Sequence, residues 1–167
     1  MTCITVYNSP LGDITLASRD NALTGVWFDG QKHFGCAPDD DVRRESSPVI
    51  QETILWLDDY FAGKVPQTYP AMHAGGSDFF LRVIKALRDI PYGELVTYGQ
   101  LANKLGVNSA QAVGGAVGRN PISILIPCHR VIGAKGALTG YAGGVEKKQA
   151  LLMLEGHDIC QDGRVRL

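Results

Sequence analysis

The chain lacks most of what would place it outside the ordinary water-soluble domains. It has no apolar run near the roughly 18 residues a membrane helix needs, no low-complexity tract and no collagen-like repeat. Its four cysteines, Cys3, Cys36, Cys128 and Cys160, are scattered without a C-x-x-C pair, which excludes a dense disulfide framework and points to a reducing compartment. The N-terminus, Met1-Thr2-Cys3-Ile4-Thr5-Val6-Tyr7, has neither the basic head nor the apolar stretch of a signal peptide, so a cytoplasmic location is expected. Cys3, Cys36, His33 and His73 do not have the spacing of metal ligands, and no metal is expected. What remains is a soluble globular protein of 167 residues, 45% hydrophobic and 20% charged, long enough for one domain or two small ones.

Acid is the residue class whose scarcity is most local. No Asp or Glu occurs from Leu95 to Val145, where Lys104, Arg119, Arg130 and Lys135 are the only formal charges. Residues 1–75 hold five Lys or Arg against ten Asp or Glu, a net of −5, while residues 76–167 hold 11 against seven, a net of +4. The overall charge of −1 therefore averages two unlike parts. The acid-free stretch is able to lie against an anion, or is simply a half-buried segment with little charge.

Two domains are expected, 1–75 and 76–167. Ile4, Val6, Ile14 and Leu16 alternate with polar residues around Asn8-Ser9-Pro10-Leu11-Gly12, which predicts two strands and a turn, with a third strand over Leu23–Phe28. Asp39-Asp40-Asp41 opens a polar stretch, and a helix is predicted from Pro48 to Gly63; residues 64–77, rich in Pro and Gly, read as a linker. Beyond it, Phe79, Phe80, Val83, Ile84 and Leu87 mark a helix that stops near Ile90-Pro91-Tyr92-Gly93. Thr97 can cap a short helix ending at Gly106, and Asn108 or Ser109 can cap another from Ala110. Helix, tight turn, helix is the helix-turn-helix pattern. Its second helix carries Gly114, Gly115 and Gly118, each costing about 1 kcal/mol relative to alanine in a helix interior. Close approach of a packed element or of a nucleic-acid groove would offset that cost.

Ile122-Ser123-Ile124-Leu125-Ile126 is a buried run leading into Pro127-Cys128-His129-Arg130. Cationic neighbours can stabilise a thiolate there, although a free cysteine is also a common core residue. A last helix, Val145–Glu155, closes at Gly156 and places Glu155 where a helix usually carries a cation. A histidine partner explains it better than capping: a carboxylate on one ring nitrogen fixes the tautomer and strengthens the other nitrogen as a base. His129 is the best candidate, with His157 left open.

Ile126-Pro127-Cys128-His129-Arg130-Val131-Ile132-Gly133, with Asn120-Pro121 before it and Gly140-Tyr141-Ala142-Gly143-Gly144 after it, closely resembles the O6-alkylguanine-DNA alkyltransferases. Ser9-Pro10-Leu11-Gly12, Ile90–Gly93, Thr97–Ala102, Ala112-Val113-Gly114 and Leu154–His157 extend the match over nearly the whole chain. The resemblance implies an α/β (α+β) protein: a ribonuclease-H-like N-terminal domain and a mainly helical C-terminal domain with a winged helix-turn-helix-like motif. It further implies DNA repair by irreversible, single-turnover transfer of an alkyl group from O6 of guanine to Cys128. His129 would act as base through a water, oriented by Glu155, with Asn120 bracing the segment and Tyr98 assisting the leaving guanine and pressing on a phosphate. Tyr141 would wall the pocket, and backbone groups at Val131 and Ala142 would read the base edge. Gln111, Ala112, Gly114, Gly115, Arg119 and Arg130 would meet DNA. The implied partner is double-stranded DNA containing alkylated guanine, bound through its minor groove by a monomer, with no cofactor and no membrane. Pocket width around Ser123, Tyr141 and Ala142 would set which alkyl groups, and whether O4-alkylthymine, are accepted. A non-catalytic binder of alkylated DNA is the alternative; related proteins of that kind lack the acceptor cysteine, which is present here. A cysteine hydrolase or redox protein fits less well, since no resolving cysteine lies near.

Two positions depart from the family pattern. Ile84 stands where tryptophan is frequent, and Gln111 stands where an arginine normally fills the gap left by the flipped base. Glutamine has neither the charge nor the stacking plane of a guanidinium. Gln111→Arg is expected to raise the transfer rate on duplex DNA under single-turnover conditions; an unchanged rate would sink this reading of the position.

Overall fold

The computed structural model describes residues 1–31 and 41–167, which form two compact units. The first comprises Met1–Ala74 and Pro121–Ser123. Strands β1 (Thr2–Ser9), β2 (Gly12–Arg19), β3 (Ala22–Phe28) and the short β4 (Val42–Arg43) form a sheet ordered β3-β2-β1-β4. β1, β2 and β3 are antiparallel neighbours, and β4 runs parallel to β1. The β2–β3 turn uses Asp20 and Asn21, both at positive φ, the backbone that matches strand twist in a two-residue hairpin and that Asp and Asn tolerate.

Helix α1 (Pro48–Phe61) starts on the Ser47 side chain, which accepts from the Ile50 amide, with Pro48 in its first turn. Ile50, Leu57 and Tyr60 are fully buried in the core with Ile14 and Leu16 of β2 and Leu23, Val26 and Phe28 of β3. The part of the sequence that reads as a linker is held in this unit as far as Ala74. Leu23 N donates to Ala71 O (2.7 Å), His73 N donates to Leu23 O (2.9 Å), and Trp56 Nε1 donates to Thr68 O (3.0 Å). Backbone pairing along β3, which composition does not reveal, fixes it. Ile122 makes a parallel bridge to Val26, so the apolar run Ile122–Ile126 is divided between the units.

The second unit comprises Gly75–Asn120 and Ile124–Leu167. Helix α2 (Asp78–Arg88) is capped by Ser77. β5 (Val96–Thr97) leads into α3 (Tyr98–Leu105), which opens with a capping box between Thr97 and Gln100 and ends on Gly106 at φ 70, a left-handed conformation suited to glycine. Ser109 caps α4 (Ala110–Gly118). Arg82 of α2 donates to the Leu105 carbonyl (2.6 Å), satisfying the end of α3. β6 (Val131–Ile132) pairs in parallel with β5, and α5 (Val145–Leu154) buries Leu151 and Leu152.

In β3, Gly25 and Trp27 share a face. A Cβ at Gly25 would overlap the outer edge of the Trp27 indole, which is buried and would have to shift within a close-packed core. Gly25→Ala is therefore expected to destabilise the protein by about 1–3 kcal/mol, read as a lower urea midpoint at unchanged m-value.

Candidate active site

Cys128 lies in a short 3-10 turn, Cys128–Arg130, after a tight bend at Pro127 (φ −83, ψ 62) closed by Cys128 N donating to Ile126 O (2.8 Å). This is inverse γ-turn geometry. Three successive side chains in a 3-10 turn spread around its axis, so Cys128, His129 and Arg130 reach different neighbours. Four residues before the cysteine, Ile124 holds φ 73 although it is β-branched and buried, a strain on the order of 1–3 kcal/mol.

The Asn120 amide, just past α4, donates to Ile126 O (2.8 Å) and to Cys128 Sγ (3.1 Å). The thiol is buried, and burial raises its pKa, against the Asn120 bond and the Lys148 charge that favour the thiolate. The cation acting on the cysteine is thus Lys148 and not the adjacent Arg130. This corrects the reading of the Pro-Cys-His-Arg run as cationic company in its own right.

His129 Nε2 lies 2.6 Å from Glu155 Oε2, with both side chains fully buried. Burial lowers the His129 pKa more than Glu155 raises it, so the ring is neutral. Since the carboxylate accepts, Nε2 carries the proton and donates. That leaves Nδ1 as a lone pair, and it is buried without a hydrogen-bond partner. His157, the other candidate partner of Glu155, has its Nε2 buried without a hydrogen-bond partner.

Glu155 follows the last residue of α5, and its acid is explained by more than the histidine. Arg130 Nε donates to Oε1 (2.7 Å), Arg130 Nη2 to Oε2 (3.2 Å), and the Gly93 amide to Oε1 (3.2 Å). Burial alone would raise its pKa, but the His129 and Arg130 bonds and charges outweigh it and hold the carboxyl well below the usual carboxylate range. Arg130 also donates through Nη1 to Ile90 O (2.7 Å) and sits 5.6 Å from the Tyr92 ring centroid. Its assignment to DNA contact is overturned: the residue is 2% exposed and its guanidinium is committed to Glu155 and Ile90. Ile90-Pro91-Tyr92-Gly93 thereby acquires a purpose as the seat of this ion pair. Gly93 has φ 80 there.

Tyr98 is half-buried at the start of α3, and its hydroxyl donates to Thr139 O (3.2 Å). Tyr141 is buried, Ala142 is half-buried, and Val131 O is occupied by Lys148 Nζ at 2.6 Å. On α4, Gln111, Ala112, Gly115 and Arg119 are exposed, while Val113, Ala116 and Val117 face the core. Cβ atoms at Gly114 and Gly118 would touch the Tyr98 ring and Gly140 O at ordinary distances of 3.8 and 3.7 Å, and one at Gly115 would meet nothing. Internal packing therefore does not demand glycine at these three positions. Ser123 lies in the segment paired with β3. Of the residues weighed as metal ligands, His33 and Cys36 lie outside the described residues; Cys3 Sγ is 3.8 Å from Glu45 Oε1.

The residue the sequence reading missed is Lys148. It is 1% exposed, and its ammonium donates to Val131 O (2.6 Å) and Thr139 O (3.1 Å) over the Tyr98 ring. The available signal was its position on the apolar stripe of α5, three and four residues before Leu151 and Leu152.

A helix-turn-helix whose outer helix is small-sided, in one unit with a buried cysteine bound by an amide and followed by a buried imidazole–carboxylate pair, defines a class: DNA-binding proteins that carry a thiol as their reactive group. The comparisons with known proteins make the class specific. Residues 78–157 match the 6-O-methylguanine DNA methyltransferase DNA-binding domain, and residues 3–68 match the ribonuclease-like domain of the same family. A methylated-DNA–protein-cysteine methyltransferase of Mycolicibacterium paratuberculosis is 44% identical over 149 residues, covering 89% of this chain and 88% of the relative. One of Methanosarcina acetivorans is 43% identical over 90% of this chain and 96% of its own length. The crystal structure of Mycobacterium tuberculosis OGT in complex with DNA superposes with a TM-score of 0.82 at 40% identity, covering 92% of each chain. The chain belongs to the 6-O-methylguanine DNA methyltransferase family. Among the described residues no helix is long and apolar enough to cross a membrane.

Both buried titrating partners fail in acid. With its folded pKa lowered from 6.5, His129 contributes stability that is present above 6.5 and declines as the pH falls below it. With its folded pKa lowered from 4.5, Glu155 contributes stability present above 4.5 and lost progressively below it. Denaturant unfolding at a series of pH values is expected to show this two-stage loss. Glu155→Gln, which strips Arg130 of its counter-ion, is expected to cost about 3–5 kcal/mol at neutral pH and to flatten the limb below 4.5.

Proposed function

We propose that this protein repairs DNA by moving the alkyl group of O6-alkylguanine onto Cys128. The observation that carries this is a buried thiol, held by Asn120 at 3.1 Å, followed in the same turn by a neutral His129 whose Nδ1 lone pair is left available because Nε2 is committed to Glu155. Nδ1 takes the thiol proton, through a water in the family's manner, and Glu155 stabilises the resulting imidazolium. The thiolate sulfur attacks the alkyl carbon, the C–S bond forms as the C–O6 bond breaks, and the electron pair leaves on guanine. A proton supplied at the base restores neutral guanine, so the net transfer is one alkyl group outward and one proton back. Tyr98 gives this proton on exchanging its Thr139 bond for the base, and the tyrosinate is reprotonated through solvent by the proton that the His129 imidazolium releases. No cofactor enters this balance. The thioether is stable, so each molecule reacts once.

The reacting carbon is inside the duplex and must be flipped out, at a cost of a few kcal/mol that is smaller for a poorly paired lesion. The exposed α4 face, with Ala112 and Gly115 flanked by Gln111 and Arg119, suits the minor groove, where sequence information is sparse. Gln111 occupies the vacated stack. Arg119 and the absence of acid from Leu95 to Val145 favour approach to phosphates. Tyr141 and the backbone at Ala142 bound the base pocket. The acting species is a monomer, and a reducing cytoplasm keeps Cys128 free.

Incubation with a duplex bearing O6-methylguanine, followed by intact-mass measurement, tests this. A gain of one methyl group that is absent in Cys128→Ser is expected. Tight binding with no mass gain would identify a non-catalytic lesion binder instead.

A further inference from the structure

Lys148 is buried in a manner that the fold alone does not repay. Taking an ammonium out of water costs several kcal/mol unless it is paired, yet among the described residues no carboxylate lies within ion-pair distance of it. Its partners are the Val131 and Thr139 carbonyls and the Tyr98 ring face. Thr139 O is also the acceptor of the Tyr98 hydroxyl. One ammonium thus ties together the strand three residues beyond Cys128, the loop that carries Tyr141, and the tyrosine of α3. The buried charges nearby do not cancel it either. Arg130 and Glu155 neutralise each other, and His129 is neutral. The site at rest therefore holds one surplus positive charge.

We propose that Lys148 is a positioning residue for alkyl transfer: its ammonium is the counter-charge of the Cys128 thiolate and holds Tyr98 and the Thr139 loop in register with it. This rests on the alkyl-transfer reading above. As the thiol proton passes to His129, the thiolate matches the Lys148 charge, and the surplus charge of the site falls only when the imidazolium passes that proton on. Lys148 is the charged side chain whose field favours the thiolate, and it disfavours a protonated His129, so it pushes the proton onward once the thiol has released it. Burial lowers the Lys148 pKa to about 8, with the Cys128 thiolate opposing that shift. The titratable groups facing it are Cys128, His129 and Tyr98. Its support is consequently present well below pH 8 and fades as the pH rises through about 8.

The test compares wild type with Lys148→Met and Lys148→Arg in two assays across pH 6 to 9.5: single-turnover methyl transfer from a saturating O6-methylguanine duplex, and carboxamidomethylation of Cys128 by iodoacetamide without DNA. Lys148→Met is expected to slow transfer about tenfold at pH 7 and to move the thiol titration to higher pH. The wild-type to mutant ratio should shrink as the pH passes about 8. Lys148→Arg, which stays charged, should recover part of the rate and keep it at high pH. A Lys148→Met transfer rate within about twofold of wild type, or a ratio that does not change with pH, overturns the proposal, the second outcome marking a purely structural lysine. Should Lys148→Met not fold, Lys148→Arg decides: a transfer profile that falls above pH 8 as wild type does overturns it. A wild type that gains no methyl sinks the transfer reading, while the iodoacetamide arm still reads the effect of Lys148 on Cys128.

Discussion

The Glu155 carboxylate is the point on which the second unit turns. It lies just past α5, buried, and accepts from His129, twice from Arg130 and from the Gly93 amide. A carboxylate out of water persists only when its lone pairs are satisfied and its charge is met, and here both conditions recruit distant chain. Arg130 draws in the Ile90 carbonyl and the Tyr92 ring, and the Tyr92 hydroxyl donates back to Leu154 O (3.3 Å). The end of α2, the acceptor turn and the end of α5 are thereby joined through a single charged group. The tautomer of His129, and with it the direction in which a proton can leave Cys128, is set by the same carboxylate.

The chemistry of the site follows from which charges are cancelled and which are not. Arg130 is spent on Glu155 and stays far from the role its place beside Cys128 suggests. The thiol is at rest protonated, since burial outweighs the Asn120 bond and the nearby ammonium. A medium of low dielectric strengthens every charge–charge interaction within it, so the same burial that keeps the thiol quiet makes its anion responsive to Lys148 and His129. A cysteine of this kind is protected from indiscriminate reaction and becomes nucleophilic when its proton has somewhere to go.

Much of the framework was legible because it rests on local rules. The alternation around Ser9–Gly12, the Thr97 cap, Gly106 and Ser109 each act over a few residues, and the helix-turn-helix follows from them. The His129–Glu155 bond was also within reach, because an acid closing a helix runs against the helix dipole and calls for a partner. The features that escaped are those decided by pairing across the chain. Residues 64–74 contain two prolines and no helical or strand pattern, yet backbone bonds to Leu23 hold them beside β3. Pro121–Ser123 belong to one compact unit and their neighbours to the other.

The sequence by itself determined the family, the first three strands and the helices, and the residue types of the reactive turn, since these depend on short-range pattern and on a distinctive run of amino acids; the two-residue strands β4, β5 and β6 exist only through pairing with distant chain. Only the tertiary structure decided what each charge is for. Arg130 and Lys148 are both cations of the net-positive part of the chain, and pattern alone does not separate them. Folding buries both, gives one to Glu155, and leaves the other without a carboxylate partner among the described residues, because electrostatic partnership depends on distance and desolvation in three dimensions and not on separation along the chain.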